Sequence, residues 1–361
     1  MKNKHTRNTL ILTVISLLVV IVPSLLIQIK AVNFSSPIGI DGYWAQIITL
    51  AGVNAIMAIS VNMVCGITGQ LSLGQAGFQA LGAYAVIFLT STCHIPLFIS
   101  IILSGLIAAF FGFLIGFPTL KLEGDYLAIV TLAFGEIIRV VLVNLKQFTG
   151  GPMGQQFTTV FTSSLQYGAL ISYVSVIGSL VLIIVFLQNF LRSTYGRAIL
   201  AVREDEVAAN SNGIGVFKYK MIGFVIASFI AGIAGALYAP FIGFVKPELA
   251  SFNNSINALI YVVLGGMGSI TGGILAAFVL TILQEFLRFL KNYRLLIYPV
   301  ILIFVMLFRP QGLLGTKELS FIGVWEKAPA FFKKLFSRKN KTQAKEAAAE
   351  NESGEEIKEE K

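Results

Sequence analysis

Two acid–base pairs stand inside otherwise apolar stretches of this sequence and are the side chains best placed to do chemistry. Glu136 and Arg139 are three residues apart in LAIVTLAFGEIIRVVLVNL, and Glu285 and Arg288 have the same spacing in ILAAFVLTILQEFLRFL. On a helix, each acid can pair with its own base, which lowers the cost of burying both charges. The first pair could instead offer its two charges to a zwitterionic solute on a pathway. For the second pair, a place near a helix end with the charges turned towards water is favoured.

Sequence motifs of catalysis are nearly absent. The chain has two histidines, His5 and His94, and no H-E-x-x-H or G-x-S-x-G arrangement. A phosphate-binding P-loop needs a Gly-Lys dipeptide, and the sequence contains none. We therefore expect that the chain is not an enzyme and carries no catalytic residue, metal site or cofactor. Any step driven by ATP would take place on another polypeptide.

The composition indicates an integral membrane protein. Hydrophobic residues make up 56% of the 361 residues, charged residues 12%, and the mean hydropathy is +0.80. Many stretches reach the roughly 20 apolar residues that a helix needs to cross a bilayer, and they lack the alternation of membrane β-strands. The net charge of +9 comes largely from basic residues that flank these stretches, as the positive-inside rule predicts, so nucleic-acid binding is not expected.

The apolar stretches predict an all-α, polytopic protein of about ten transmembrane helices. The expected spans are residues 9–29, 45–65, 72–92, 97–117, 126–145, 168–190, 219–243, 255–267, 272–290 and 295–308. With this count both termini lie in the cytoplasm. Arg288, Lys291 and Arg294 disagree, since they would fall on the outer side, so an eight-span or differently folded C-terminal region stays open.

Two stretches are too rich in glycine for continuous helices, namely Gly66–Gly77 (GITGQLSLGQAG) and Leu264–Gly273 (LGGMGSITGG). One lies in each half of the chain, as in transporters with duplicated halves and a central pathway. Close helix packing through small residues is an equal alternative. The candidate pathway residues are Gly69, Gln70, Ser72, Gly74, Gln75, Glu136, Arg139, Gly265, Gly266 and Gly268.

A charged stretch from Tyr195 to Lys220 interrupts the apolar series and must lie in water. Its apolar positions predict one short helix with an exposed apolar side, ended by Asn212 and Gly213. Such a helix with an acidic rim suits a groove on a cytosolic partner, although a merely solvated loop is the simpler alternative. The candidate docking residues are Gly196, Arg197, Arg203, Glu204, Asp205, Glu206, Ala208, Ala209 and Gly213.

The pattern divides the chain into four parts. Residues 1–44 hold the first span and an external loop, and residues 45–315 form the transmembrane domain with a cytoplasmic loop at 192–218. Residues 316–340 predict an amphipathic segment lying on membrane lipid, and residues 341–361 a disordered tail of Lys and Glu.

Four motifs together resemble the LivM-type permease subunits of bacterial branched-chain amino acid ABC importers. They are GDYLAIVTLAFGEIIR at Gly124–Arg139, TGGPMG at Thr149–Gly154, GRAILAVREDEVAANSNGI at Gly196–Ile214 and FRPQGLLG at Phe308–Gly315. The likeness extends over roughly Val53 to Gly315. The stretch from Glu206 through Ala208, Ala209 and Gly213 is similar to the EAA-type loop that docks on the ATPases, with Val207 inserted between the acid and the alanines.

The resemblance implies a multi-pass protein of the bacterial inner (plasma) membrane that works with a second, homologous permease. It also implies two cytosolic ATP-binding subunits, an external solute-binding protein and a coupling helix in the 192–218 loop. Leucine, isoleucine and valine are the leading substrates, and urea, amides or other amino acids are alternatives. An ion-coupled secondary amino acid carrier that uses the Glu136 region, or a membrane scaffold, would fit the residues less well.

Overall fold

The computed structural model describes residues 42–122, 124–157 and 168–309, together with Gly312 and Gly315. All of them belong to one compact unit. The predicted first span at 9–29, the predicted amphipathic segment at 316–340 and the predicted tail at 341–361 lie outside the described residues.

The described chain is almost entirely helical, as its apolar composition predicts. The α-helices are α1 (Gly42–Val61), α2 (Gln75–Ser91), α3 (Leu97–Thr119), α4 (Asp125–Asn144), α5 (Lys146–Thr149), α6 (Gly168–Arg192), α7 (Thr194–Glu204), α8 (Glu206–Ser211), α9 (Val216–Ile242), α10 (Phe252–Gly265), α11 (Ile270–Phe286) and α12 (Arg294–Phe308). A π-helix, Asn62–Ile67, continues α1. Turns of 3-10 helix cover Gly151–Met153, Pro247–Ala250 and Leu287–Tyr293.

Two short strands join the segment after α4 to the end of α9. Strand β1 (Gln155–Gln156) pairs antiparallel with β2 (Phe244–Val245), so that Gln155 lies opposite Val245. The turn before β1 needs glycine, because Gly154 has φ of 77° and a Cβ there would lie 2.4 Å from the Val245 carbonyl oxygen. The TGGPMG motif is therefore a structural turn.

Six helices of the described part are long and apolar enough to cross a membrane: Tyr43–Ile67, Leu97–Thr119, Asp125–Asn144, Leu170–Arg192, Val216–Ile242 and Ile270–Lys291. Each of the nine expected spans from residue 45 onwards coincides with a helix. Three of these helices are short, because α2 has 17 residues, α10 has 14 and α12 has 15. The all-α membrane fold is thus confirmed, while the count of about ten spans is not established.

Helices α1 and α9 form the centre of the bundle. Of their most apolar stretches 83% and 72% are buried, against 33% for α4. Small residues allow α9 to approach α2 closely, since a Cβ on Gly235 would lie 1.8 Å from the Gln79 carbonyl oxygen and one on Gly82 would lie 2.1 Å from that of Gly232. Without a hydrophobic force between helices in lipid, this close van der Waals packing stabilises the bundle.

Candidate functional site

Both glycine-rich stretches break their helices, as the sequence predicts. The backbone is not helical from residue 68 to 74, between α1 with its π-helical end and α2, or from 266 to 269, between α10 and α11. Gly69, Gly266 and Gly268 have φ of 73°, 109° and 93°, values that a side chain disfavours. We call residues 68–74 the first break and residues 266–269 the second break.

The π-helix that leads into the first break closely approaches the second break. A Cβ on Gly66 would lie 2.4 Å from the Gly268 backbone nitrogen, and that nitrogen donates to Asn62 Oδ1 at 2.8 Å. Gly265 and Gly272 approach each other just as closely across the second break. Gly266 in turn lies against the Gly315 carbonyl oxygen of the FRPQGLLG motif. Close packing therefore explains many of these glycines.

Polar side chains around the first break point to a further role. Gln70, Ser72 and Gln75 are at most 3% exposed, as is Asn62. Within the described part of the chain no partner is found for the Gln70 amide, Ser72 Oγ, Gln75 Nε2 or Asn62 Nδ2. A buried polar group left unpaired costs about 1–3 kcal/mol, so these atoms are candidates for a hydrogen bond to water or a solute.

The first break also packs on α4. Leu73 donates its backbone N–H to Thr131 Oγ1 at 3.2 Å. A Cβ on Gly74 would lie 2.3 Å from the Thr131 carbonyl oxygen. Gly74 therefore serves as a contact point between the break and α4.

Glu136 and Arg139 bond to each other and to the start of α10, not to the breaks. Glu136 Oε2 accepts from Arg139 Nε at 2.5 Å, and Glu136 Oε1 accepts from the Phe252 backbone N–H at 3.3 Å. The Glu136 and Arg139 side chains remain 33% and 37% exposed in this chain. The structure thus gives the acid a structural partner and still leaves a third of the pair uncovered.

The second acid–base pair bridges two helix ends. Arg288 Nη1 donates to Glu285 Oε1 at 3.0 Å and to the Tyr43 hydroxyl at 3.1 Å, and the Tyr43 hydroxyl donates to Glu285. The start of α1 and the end of α11 are tied together in this way.

The charged stretch forms two helices where one is expected from the sequence. Asp205 takes an extended conformation, with φ of −156°, and its Oδ1 accepts the backbone N–H groups of Val207 and Ala208, both at 2.9 Å. Aspartate is a preferred N-cap, so it ends α7 and starts α8. The predicted end is found, because Asn212 follows α8 and Gly213 has φ of 78°.

The expected exposed apolar side is also wrong for most of this stretch. Ala198, Ile199 and Val202 of α7 are buried against the bundle, as is Ala209 of α8. Val207, by contrast, is 77% exposed, and the neighbouring residues 203–206 and Ala208 are exposed too. The exposed surface therefore consists of Val207 and Ala208 beside Arg203 and the three acids at 204–206.

An open groove of about 680 Å³ borders this surface. Its lining residues are Glu206, Val207, Asn210, Gly215, Val216, Phe217 and Lys218. Glu206 Oε1 pairs with Lys220 Nζ at 2.6 Å, which ties α8 to α9. We call residues 204–208 with this groove the docking surface.

The remaining docking candidates fix the position of α7. Gly196 donates its backbone N–H to Ser193 Oγ at 3.3 Å, and a Cβ there would lie 2.4 Å from Leu191 Cα. Arg197 donates to two local groups, the Arg192 carbonyl and the Thr194 hydroxyl, both at 3.5 Å. Arg203 lies elsewhere, against Gly69 of the first break and Gly268 of the second.

Sequence reasoning missed two residues that organise the breaks. Asn62 connects the first helix to the second break, and Thr131 holds the first break on α4. Asn62 is a polar residue within an apolar span, which was a usable signal. Thr131 gave no such signal, because threonine bonds its own helix in many spans.

The family model described as branched-chain amino acid transport system / permease component matches residues 43–307. The chain is 38% identical over 294 residues to the high-affinity branched-chain amino acid transport system permease protein LivM of Salmonella typhimurium, and equally to that of Escherichia coli, covering 74% of this chain and 69% of each relative. It is 24% identical over 291 residues to the corresponding permease protein LivH of Salmonella typhimurium, covering 75% of this chain and 94% of the relative. No solved structure matches this chain.

Proposed function

Because this chain belongs to the family of permease components of branched-chain amino acid transport systems, we propose that it is the membrane permease subunit of an ATP-driven importer. Its substrates are leucine, isoleucine and valine. The chain is a transport component and not an enzyme, so ATP hydrolysis takes place on separate subunits. The observation that carries this proposal is the docking surface, where the exposed Val207 lies among acidic residues and lines a groove. The sequence of the same chain contains no nucleotide-binding motif.

The partners follow from the same family. The chain is similar to relatives named LivM and LivH, two related permeases, which supports pairing with a second homologous permease. The docking surface lies in the cytosol and contacts an ATP-binding subunit, and a solute-binding protein delivers the amino acid from outside. Closure of the ATPases on ATP displaces α8, and the displacement reaches the two breaks and changes which side of the membrane the pathway faces.

The test is purification of the chain in mild detergent from its own membrane, with identification of the proteins that accompany it. We expect an ATPase with a P-loop and a second permease of the same family. Recovery of the chain alone, transporting in liposomes under an ion gradient, would reject the importer and support a secondary carrier instead.

The face of α4 that carries Glu136 and Arg139 belongs to the pathway in this proposal. Glu136 is 11 residues from the start of α4, about 17 Å along a helix of about 30 Å, which is near the middle of a span. Charges at that depth are costly in lipid, so their exposed third requires water or another protein. The second permease and the water-filled pathway between the two chains supply that cover.

Replacing both charges in Glu136→Gln/Arg139→Gln should leave a folded protein whose uptake is reduced. Charged hydrogen bonds contribute about 1.5–3 kcal/mol, so we expect roughly a ten- to hundredfold loss of uptake. The measurement is ATP-driven uptake in proteoliposomes at matched amounts of complex.

The matched control is Glu285→Gln/Arg288→Gln, which removes a pair with the same spacing at a helix end. It should retain most of its uptake. Normal uptake by the Glu136→Gln/Arg139→Gln protein would leave the first pair with a structural role only.

A further inference from the structure

Arg203 contacts both glycine breaks with one side chain. It is the last residue but one of α7, directly before Glu204 and Asp205 of the docking surface. A Cβ on Gly69 would lie 3.1 Å from Arg203 Cγ, and a Cβ on Gly268 would lie 3.1 Å from Arg203 Nη1. The aliphatic stem thus lies on the first break and the guanidinium on the second.

The contact depends on glycine at both positions. Gly69 and Gly268 have positive φ, which disfavours a side chain, and an added Cβ at either position would press on the arginine at 3.1 Å. Gly268 also donates its backbone N–H to Asn62 Oδ1. A Cβ on Gly268 would lie 3.5 Å from the Gly66 carbonyl oxygen. The guanidinium therefore lies at the seam where the two breaks meet.

The end of α7 that carries Arg203 leads to the docking surface through a single residue. Asp205 alone separates α7 from α8, and the Glu206–Lys220 pair holds α8 to α9. The ion pairs found among the described residues are those of Glu136, Glu206 and Glu285, so Arg203 is not held by any of them. Its side chain is free to move with α7.

We propose that Arg203 is the positioning residue that transmits movement of α8 to the two breaks. When a partner displaces α8, α7 carries the arginine across the seam, and the stem and guanidinium shift the two breaks relative to each other. The buried polar atoms of Gln70, Ser72 and Gln75 then gain access to water or solute. This inference rests on the proposed function, since it requires a partner that moves α8.

The experiment uses the complete importer in proteoliposomes, with ATP hydrolysis and uptake of labelled leucine measured on the same preparation. Arg203→Ala removes both contacts, Arg203→Met keeps the stem on Gly69 without the guanidinium, and Arg203→Lys keeps stem and charge without the planar fork. We expect assembled complexes that still hydrolyse ATP. The leucine transported per ATP should fall about tenfold or more in Arg203→Ala and less in Arg203→Lys.

Arg192→Ala is the matched control, because this exposed arginine ends α6 and lies outside the docking surface and both breaks. It should keep the wild-type ratio of transport to hydrolysis. A wild-type ratio in Arg203→Ala and Arg203→Met, or an equal loss of uptake and hydrolysis in every Arg203 variant, would overturn the proposal. Failure of the unaltered complex to transport on ATP would reject the proposed function instead.

Discussion

Gly235→Ala is expected to lower the yield of folded protein severely. The added methyl group would lie 1.8 Å from the carbonyl oxygen of Gln79, a backbone atom that cannot rotate away. Helices α2 and α9 would have to separate, and α9 is one of the two most buried spans. Overpacking typically costs about 1–3 kcal/mol, and a contact this close to a backbone atom lies at the upper end of that range. The measurement is the yield of monodisperse protein on size-exclusion chromatography in detergent, followed by its melting temperature.

Gly178→Ala provides the control for this substitution. Gly178 also lies within a long apolar helix, α6, but among the described residues a Cβ there would meet nothing within 4 Å. Since alanine favours helix by about 1 kcal/mol over glycine, this variant should be as stable as the wild type or more so. A normal yield and melting temperature for Gly235→Ala would mean that α2 and α9 are not in contact as described.

Val207→Glu is expected to abolish most transport without harming the fold. Val207 is 77% exposed and lines the groove of the docking surface. Nothing within the described chain explains an apolar side chain there, and a glutamate carboxylate buried unpaired in an interface costs about 1–3 kcal/mol or more. Uptake should fall by about tenfold or more, with weaker recovery of the ATPase on the purified chain.

Val207→Ile retains an apolar side chain and should transport normally. This pair of variants is sharper than replacement of all three acids at 204–206, because Asp205 caps α8 and Glu206 holds it to Lys220. Loss of those acids would disturb the helix as well as the interface. Equal transport by the Glu and Ile variants would remove the docking surface from the proposal.

The sequence predicts the helices and the breaks well, because both depend on local composition. Runs of apolar residues specify each long helix, and Gly69 and Gly268 mark backbone that a side chain would strain. The extent of membrane crossing is less predictable. Helices α2 and α10 are too short to be recognised as spans by length, since the breaks that precede or follow them take residues from the helix.

The docking stretch shows where pattern reasoning fails. The apolar positions of α7 have helical spacing, and spacing alone does not say whether they face a partner or the chain's own bundle. Ile199 and Val202 pack on the bundle, while Val207, of the same residue type as Val202, is exposed. Asp205 is compatible with one long helix or with a cap between two, and the tertiary position of α7 decides between them.

Arg203 could not have been assigned a place from the sequence. In the sequence it is one of several basic residues that flank the spans, and nothing distinguishes it from Arg197. Its contacts with Gly69 and Gly268 join positions 134 and 65 residues away, which only the fold brings together. Glu136 shows the same limit, because its bond to the Phe252 backbone links positions 116 residues apart.

The short length of α10 affects the thickness of the low-dielectric barrier that this chain forms across the membrane. With 14 residues α10 extends for about 21 Å, roughly 9 Å less than the hydrocarbon layer. It starts beside Glu136, near the middle of α4, and is preceded by extended backbone at Lys246 and Ser251 on either side of the 3-10 turn Pro247–Ala250. Such backbone is tolerated at membrane depth only within protein or beside water. Along α10 the low-dielectric barrier to an ion or solute is therefore shorter than the hydrocarbon layer. The close packing of small residues at the second break must then prevent leakage.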